Sequence, residues 1–180
     1  MEGEGKPFIN ALGLTKSEAL AAPLPSTIYQ GEYKGMDVTV AVNGKHPKFN
    51  IDSVGTVPAA LTTFALLQKE KPDLLINAGT AGGFKAKGGE IGDVYIAQGF
   101  ANHDRRIPIP PFVEYATGKY EATASPCLLK ETGWKHGVVT TSNALDHEAK
   151  DDELMAANDA SVKVIHLVHE DVMTAQTHIS

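Results

Sequence analysis

The chain has 180 residues, about the length of one domain, and its 42% hydrophobic content is enough to fill a core. Lysine and arginine number 16 against 22 aspartates and glutamates, a net charge of −6, which argues against a protein that binds nucleic-acid backbones. No apolar stretch approaches the roughly 20 residues that cross a bilayer, so no membrane partner is expected. Cys127 is the only cysteine, which excludes an internal disulfide and a cysteine-based zinc knuckle and favours a reducing, cytoplasmic location.

The first half of the chain predicts a hairpin, a helix and a strand, in that order. Two β-prone runs, 27–33 and 36–42, flank Lys34-Gly35, a pattern typical of a hairpin with a tight turn. Apolar residues then recur at helical spacing from residue 57 to residue 69, and Pro72 is expected to stop that helix. The run 74–78 is uniformly apolar, which predicts a strand buried on both faces.

The second half predicts further strands at 93–97 and 137–141 and a polar helix over about 146–158. Three prolines within 107–111 exclude a helix or a central strand there and predict a surface loop. Strand, helix and buried strand in sequence require a parallel or mixed sheet covered by helices, so the predicted fold class is α/β. In open sheets of this class, ligands usually bind at the carboxyl ends of the strands.

The turn after the 74–78 strand is the strongest local signal for a ligand site. It contains Gly79, Gly82 and Gly83, and glycines let a backbone approach a ligand closely. The spacing fits neither a phosphate P-loop nor a dinucleotide fingerprint. The residues alone therefore predict a small-ligand pocket, with ordinary loop formation as the alternative.

Four separated blocks carry a more specific resemblance. The chain resembles the plant-type 5′-methylthioadenosine nucleosidases of the purine nucleoside phosphorylase and uridine phosphorylase superfamily. That resemblance implies a three-layer α/β/α sandwich around a mixed sheet, a small nucleoside substrate, no cofactor and a homodimer if the fold is complete. The blocks are NIDSVGTVPAA at 50–60, KPDLLINAGTAGGF at 71–84, IGDV at 91–94 and HDRRIPIP at 103–110.

The resemblance also assigns roles to residues. Glu4, in the opening segment Met1-Glu2-Gly3-Glu4, matches the carboxylate that activates water as the purine departs, although a solvated terminal acid is the alternative. The implied substrate-binding residues are Thr80, Ala81, Gly82, Leu145 and Lys163, the last chiefly through its main chain. Turn capping is the alternative for Thr80 and core packing the alternative for Leu145.

Other groups that could bear chemistry are interpreted as structural. His103-Asp104 could be a catalytic pair and Arg105-Arg106 an anion site, but the resemblance implies that this segment packs a strand end and the dimer surface. His147-Glu148 and His166-x-x-His169 have metal-ligand spacing without a third convincing ligand, so no metal site is expected. Cys127, in a predicted loop, has no neighbouring base and is interpreted as a quiet thiol.

The resemblance ends abruptly at Lys163. The family continues with an Asp-Met-Glu-Gly-Ala motif, whose Glu holds the ribose, and a Ser-Asp pair that protonates the purine, and the sequence contains neither. We therefore expect an incomplete nucleoside phosphorylase-like domain over 1–163 and a divergent tail over 164–180, with sheet edges and apolar helix faces left exposed. The predicted function is hydrolysis of 5′-methylthioadenosine in methionine salvage. The alternatives are a non-catalytic, subunit-pairing remnant and a purine nucleoside phosphorylase.

Overall fold

The computed structural model describes residues 2–144, 146, 148–165 and 171–177, and only the backbone of 164, 165 and 171–177. The described residues form two compact units, one of residues up to Thr80 together with 171–177, the other from Ala81 to 165. Among the described helices, none is long and apolar enough to cross a membrane. In chain order the elements are α1 (Glu2–Leu12), β1 (Thr15–Lys16), β2 (Thr27–Tyr33), β3 (Met36–Val42), α2 (Thr56–Glu70), β4 (Leu74–Ala78), β5 (Gly82–Gly83), a 3₁₀ turn (Lys85–Lys87), β6 (Tyr95–Asn102), α3 (Phe112–Thr117), β7 (Tyr120–Glu121), α4 (Pro126–Thr132), β8 (Lys135–Ser142), α5 (Ala149–Ala157), β9 (Ala160–Ile165) and β10 (Asp171–Thr177).

The first unit contains a five-stranded sheet in the order β1-β2-β3-β10-β4, antiparallel at each pairing. The predicted hairpin is confirmed as β2 and β3, with Tyr33 opposite Met36. Lys34 and Gly35 have φ values of 53° and 78°, and positive φ at both central residues matches the twist of the two strands. The predicted helix is also confirmed, as α2, and it ends at Glu70, with Lys71 as its C-cap just before Pro72.

The core of the first unit lies on both faces of β3. Val38 and Val40 pack with Ile9 of α1, whereas Ala41 packs with Leu66 of α2. Because successive strand residues point to opposite faces, the two helices cover opposite sides of the sheet. The first unit therefore has three layers, helix, sheet and helix.

The predicted burial of the 74–78 strand on both faces is wrong. The strand exists as β4, but all five of its residues are exposed, with Leu74 at 49% and Leu75 at 42%. Its sheet partner is β10, which runs antiparallel to it. Both described core clusters place α1 and α2 over β2 and β3, so the apolar side chains of β4 stay open to solvent.

The second unit contains a mixed sheet in the order β5-β9-β8-β6-β7, parallel at its centre and antiparallel at its edges. The α/β class with a mixed sheet is thus confirmed. The strand predicted at 137–141 is β8, and the one predicted at 93–97 is β6, which begins and ends later. The helix predicted from about 146 starts at Ala149, because Glu148 and Asp151 form a capping box at its first turn. Cys127 lies exposed in α4 and not in a loop.

Candidate functional site

The structure brings two of the expected site residues of the first unit together. Glu4 and Thr80 are 76 positions apart in the chain, yet the Glu4 Oε1 atom accepts two hydrogen bonds from Thr80. The hydroxyl donates over 2.6 Å and the backbone N–H over 3.0 Å. Two donors on one oxygen hold the carboxylate in a defined orientation, as a water-activating base requires.

Local sequence explains how Glu4 reaches this position. Helix α1 packs through Ile9 against β3, which sets the direction of its first turn. Glu2 and Glu4 both lie in that turn, where the helix dipole favours negative charge. Thr80 follows β4 by two residues, at the carboxyl end of the strand, where ligands usually bind in this fold class.

The second unit pairs two further expected residues through the backbone. Gly82 in β5 lies opposite Lys163 in β9. A Cβ atom added at Gly82 would meet the Lys163 carbonyl oxygen at 3.7 Å, an ordinary contact, so space alone does not require glycine there. Lys163 also lies opposite Thr140 of β8. The main chain of Lys163 is therefore held by strands on both sides.

The structure shows less about the two remaining expected residues, Ala81 and Leu145. Ala81 is exposed between Thr80 and Gly82. Leu145 lies outside the described residues. The expected set is thus divided, with Glu4 and Thr80 in the first unit and the others that the structure describes in the second.

His103 is buried in the second unit. It is 1% exposed, and its Nδ1 lies 2.9 Å from the hydroxyl of Thr140. Burial lowers the pKa of His103, and the nearby positive charge of Lys163 lowers it further. The burial of the imidazole and its contact with Thr140 of β8 favour the structural interpretation over a catalytic His-Asp pair.

Both arginines of the 103–110 block are occupied by protein groups. The Arg105 guanidinium donates to the carbonyls of Tyr115, at 2.6 Å, and Ala116, at 2.9 Å, and it stacks over the Tyr115 ring. Arg106 pairs with Asp151 and lies 3.5 Å from Glu148. These contacts favour the structural interpretation over an anion site.

Sequence reasoning missed the role of Asp104. Its Oδ2 atom accepts the backbone N–H groups of Asn143, at 2.6 Å, and Ala144, at 3.1 Å. Nothing in the local pattern around Asp104 reveals partners 39 and 40 positions away. A conserved spacing between the two segments would have been the only usable signal, and a single sequence does not carry one.

Metal ligation has no support within the part of the chain that the structure describes. There, no group of three or more histidine, cysteine, aspartate or glutamate side chains could hold an ion. His147, His166 and His169, which have metal-ligand spacing in the sequence, lie outside that part.

Comparison with known proteins adds to this geometry. The chain is 46% identical over 165 residues to a 5′-methylthioadenosine nucleosidase of Arabidopsis thaliana, covering 91% of this chain and 62% of that protein. It is 42% identical over 167 residues to a 5′-methylthioadenosine/S-adenosylhomocysteine nucleosidase of the same plant, covering 91% and 65%. The chain thus spans less than two thirds of the length of these relatives.

The fold agrees with these sequence matches. The structure of the Arabidopsis thaliana 5′-methylthioadenosine nucleosidase in its apo form superimposes with a TM-score of 0.88 at 45% identity, over 91% of this chain and 68% of that one. The family model of the Phosphorylase superfamily matches residues 1–164, which is most of the chain. The chain therefore belongs to the phosphorylase superfamily.

Proposed function

We propose that this chain hydrolyses the N-glycosidic bond of 5′-methylthioadenosine, releasing adenine and 5-methylthioribose. The observation that carries the proposal is the Glu4 carboxylate, oriented by two hydrogen bonds from Thr80 beside the Gly-rich turn. The names of the Arabidopsis relatives support this choice of substrate.

In the proposed reaction, Glu4 removes a proton from water as the water oxygen bonds to C1′ of the ribose. The C1′–N9 bond breaks, and its electron pair leaves with adenine. Adenine then takes a proton from solvent, and Glu4 returns its own proton to solvent, so that water is the only co-reactant. The two hydrogen bonds from Thr80 keep the carboxylate in position while the charge on the ribose develops.

The sequence contains no Ser-Asp pair to protonate the leaving purine. General-acid help of this kind contributes about 10²–10⁴-fold to a rate. In an enzyme of this reaction that supplies the proton from an aspartate, removal of that aspartate should slow turnover by about that factor.

The test is release of adenine from 5′-methylthioadenosine by the purified chain, in buffer without phosphate. Glu4→Gln keeps the shape of the side chain and removes its basicity, so release should fall to background. Glu2→Gln is the matched control, because Glu2 is an exposed acid in the same helical turn. Equal rates for the wild-type chain and Glu4→Gln would refute the role of Glu4.

The same assay separates the other candidate reactions. Release that depends on phosphate and yields a ribose 1-phosphate would identify a phosphorylase. A parallel reaction with S-adenosylhomocysteine measures whether the larger 5′-substituent is accepted. A folded chain that releases no adenine from either nucleoside would favour the non-catalytic alternative.

We also propose that the chain forms a homodimer through α2. Val57, Leu61 and Phe64 follow one another at spacings of four and three, on one side of the helix, and are 67%, 48% and 65% exposed. An apolar stripe of this kind is typical of an interaction surface. Light scattering should show a dimer that Phe64→Asp converts to a monomer, whereas Phe49→Asp, at an exposed aromatic in a loop, should leave it intact. A monomeric wild-type chain would overturn this proposal.

A cytoplasmic location and a role in methionine salvage complete the proposed function. The single, exposed Cys127 fits a reducing compartment. Hydrolysis of 5′-methylthioadenosine would return its methylthio group for reuse. Imaging of a tagged chain and labelling of methionine from 5′-methylthioadenosine in cells test these two statements.

A further inference from the structure

We propose that Pro7 is a positioning residue that directs the Glu4 carboxylate toward Thr80. The inference rests on the proposed function, because that function makes Glu4 the base that activates water. Pro7 lies inside α1, an eleven-residue helix that carries Glu4 in its first turn. Pro7 itself contacts neither water nor nucleoside in this scheme and acts through the turn that precedes it.

Packing gives no reason for a proline at this position. Residue 7 is exposed, so its ring fills no part of the core. Proline is the least favourable residue in a helix interior, because it lacks an N–H group and its ring meets the carbonyl four residues earlier. Residues that oppose their own secondary structure without a gain in packing are expected chiefly at functional or strained sites. The functional group nearest to Pro7 in the helix is Glu4, about one turn away.

Pro7 separates two parts of α1 that have different contacts. After Pro7, Ile9 and Leu12 belong to the core cluster around β3. Before Pro7, the Glu4 carboxylate accepts its two hydrogen bonds from Thr80. The packed part fixes the helix axis, so the position of the carboxylate depends on how the first turn continues from that axis.

The hydrogen bond that Pro7 removes lies beside Glu4. In a regular α-helix, the N–H of residue 7 would donate to the carbonyl of Gly3. Pro7 has no N–H, and its ring displaces that carbonyl, which belongs to the peptide group joining Gly3 to Glu4. A Cβ atom at Gly3 would meet nothing within 4 Å, so space does not require glycine there, and glycine leaves this peptide group free to tilt. The first turn can therefore bend away from the axis at the residue that carries the carboxylate.

The contact with Thr80 is sensitive to such a bend. The Glu4 Oε1 atom lies 2.6 Å from the Thr80 hydroxyl and 3.0 Å from its backbone nitrogen. Hydrogen bonds of both kinds are lost once the two atoms separate beyond about 3.5 Å. Pro7→Ala restores the helical N–H and removes the ring, so the first turn should continue straight from the packed part. The carboxylate should then lose its place on Thr80.

This displacement should change the chemical step and leave nucleoside binding unaffected. A misplacement of about 1 Å can cost about 100-fold in rate, so we expect Pro7→Ala to lower kcat about 10- to 100-fold. KM should stay nearly constant, because Glu4 acts on water in the proposed reaction. Stability should move in the opposite direction, since alanine is the best helix former and proline the worst. A higher urea midpoint together with a lower kcat is a combination that a merely structural proline does not give.

The experiment compares the full wild-type chain with Pro7→Ala and with the control Asn10→Ala. Asn10 is an exposed residue of the same helix, on the packed side of Pro7, and alanine improves its helix propensity as well. Adenine release from 5′-methylthioadenosine gives kcat and KM, and urea titration gives the midpoint. Hydrogen exchange of the Thr80 amide, followed by NMR, reports its bond to Glu4 without any turnover.

Pro7→Ala should speed exchange of the Thr80 amide about tenfold, as expected from losing a hydrogen bond to a charged acceptor. Asn10→Ala should leave this exchange, kcat and KM unchanged. The inference is overturned if Pro7→Ala leaves either kcat or the Thr80 exchange as in the wild-type chain. A lower urea midpoint in Pro7→Ala would also overturn it, because Pro7 would then support the fold.

The two proposals fail in different ways. A wild-type chain that releases no adenine overturns the proposed function, and the Thr80 exchange then decides by itself whether Pro7 places Glu4. If the wild-type chain releases adenine and Glu4→Gln does not, the proposed function stands. An unchanged kcat in Pro7→Ala then overturns the inference alone.

Discussion

Replacing Thr80 with valine tests the contact on which the proposed function rests. Valine has the shape of threonine without its hydroxyl, so the substitution removes the 2.6 Å hydrogen bond to Glu4 and leaves the 3.0 Å bond from the backbone N–H. A hydrogen bond to a charged group stabilises by about 1.5–3 kcal/mol. Because Thr80 is exposed, we take the lower limit, about 1.5 kcal/mol, which corresponds to a tenfold fall in kcat/KM.

The assay is adenine release by wild-type, Thr80→Val and Thr80→Ser chains under identical conditions. Serine keeps the hydroxyl and should recover most of the activity. Urea unfolding of the same three chains shows whether a lower rate of adenine release only reflects a smaller fraction of folded protein. If Thr80→Val releases adenine as fast as the wild-type chain, the hydrogen bond does not orient the base, and the reasoning from geometry fails.

Two further predictions concern stability. Leu66→Ala, at a side chain with no exposed surface, should lower the free energy of unfolding by about 2–5 kcal/mol in urea titrations, because it leaves a cavity between α2 and the sheet. The pKa of Asp93 is lowered, chiefly by its hydrogen bond from Lys135 and further by the N–H of Glu90. A depressed pKa in the folded state gives stabilisation that is present above the ordinary value of 3.8 and lost as the pH falls through the folded-state pKa. Lys135→Met should therefore lower the urea midpoint at pH 6 and have little effect near pH 2.

Each of these has its own control. Leu128→Ala, at a 43% exposed position of α4, should change the free energy of unfolding by less than about 0.5 kcal/mol. Equal losses at Leu128 and Leu66 would contradict the assigned core. An effect of Lys135→Met that is the same at both pH values would show that the ion pair with Asp93 is not its cause.

Local sequence patterns predicted β2, β3, α2 and β4 of the first unit, but not α1, β1 or β10. The Lys34-Gly35 turn and its two flanking strands appear where expected, because a two-residue turn depends only on residues next to one another. The end of α2 at Glu70 is similarly local, since Pro72, just after the C-cap Lys71, cannot continue a helix. The predicted boundaries differ from the observed ones where side-chain hydrogen bonds determine them. Helix α5, for example, starts where the capping box of Glu148 and Asp151 sets its first turn.

Burial was predicted less well. The uniform apolar character of residues 74–78 correctly indicated a strand, but it carried no information on what would cover that strand. In the structure, α1 and α2 pack over β2 and β3, and β4 is exposed. Burial is a property of two packed surfaces, and the sequence of one of them cannot specify it.

In the candidate site, too, the sequence indicated the residues and only the structure showed their contacts. Glu4 and Thr80 were both expected as site residues through resemblance, but only the folded chain joins them by two hydrogen bonds. Asp104 was interpreted as structural without an assigned partner, and the structure supplies Asn143 and Ala144.

The sequence by itself determined the α/β class, the hairpin, the α2 helix, the glycine-rich turn and membership of the superfamily, because each depends on neighbouring residues or on an ordered set of short blocks. The tertiary structure alone decided which apolar faces are covered, which residues meet across 39 or 76 positions, and where the carboxylates of Glu4 and Asp104 bind. The physical reason is that a hydrogen bond or a buried contact depends on distance in space, and separation along the chain says little about that distance until the chain has folded.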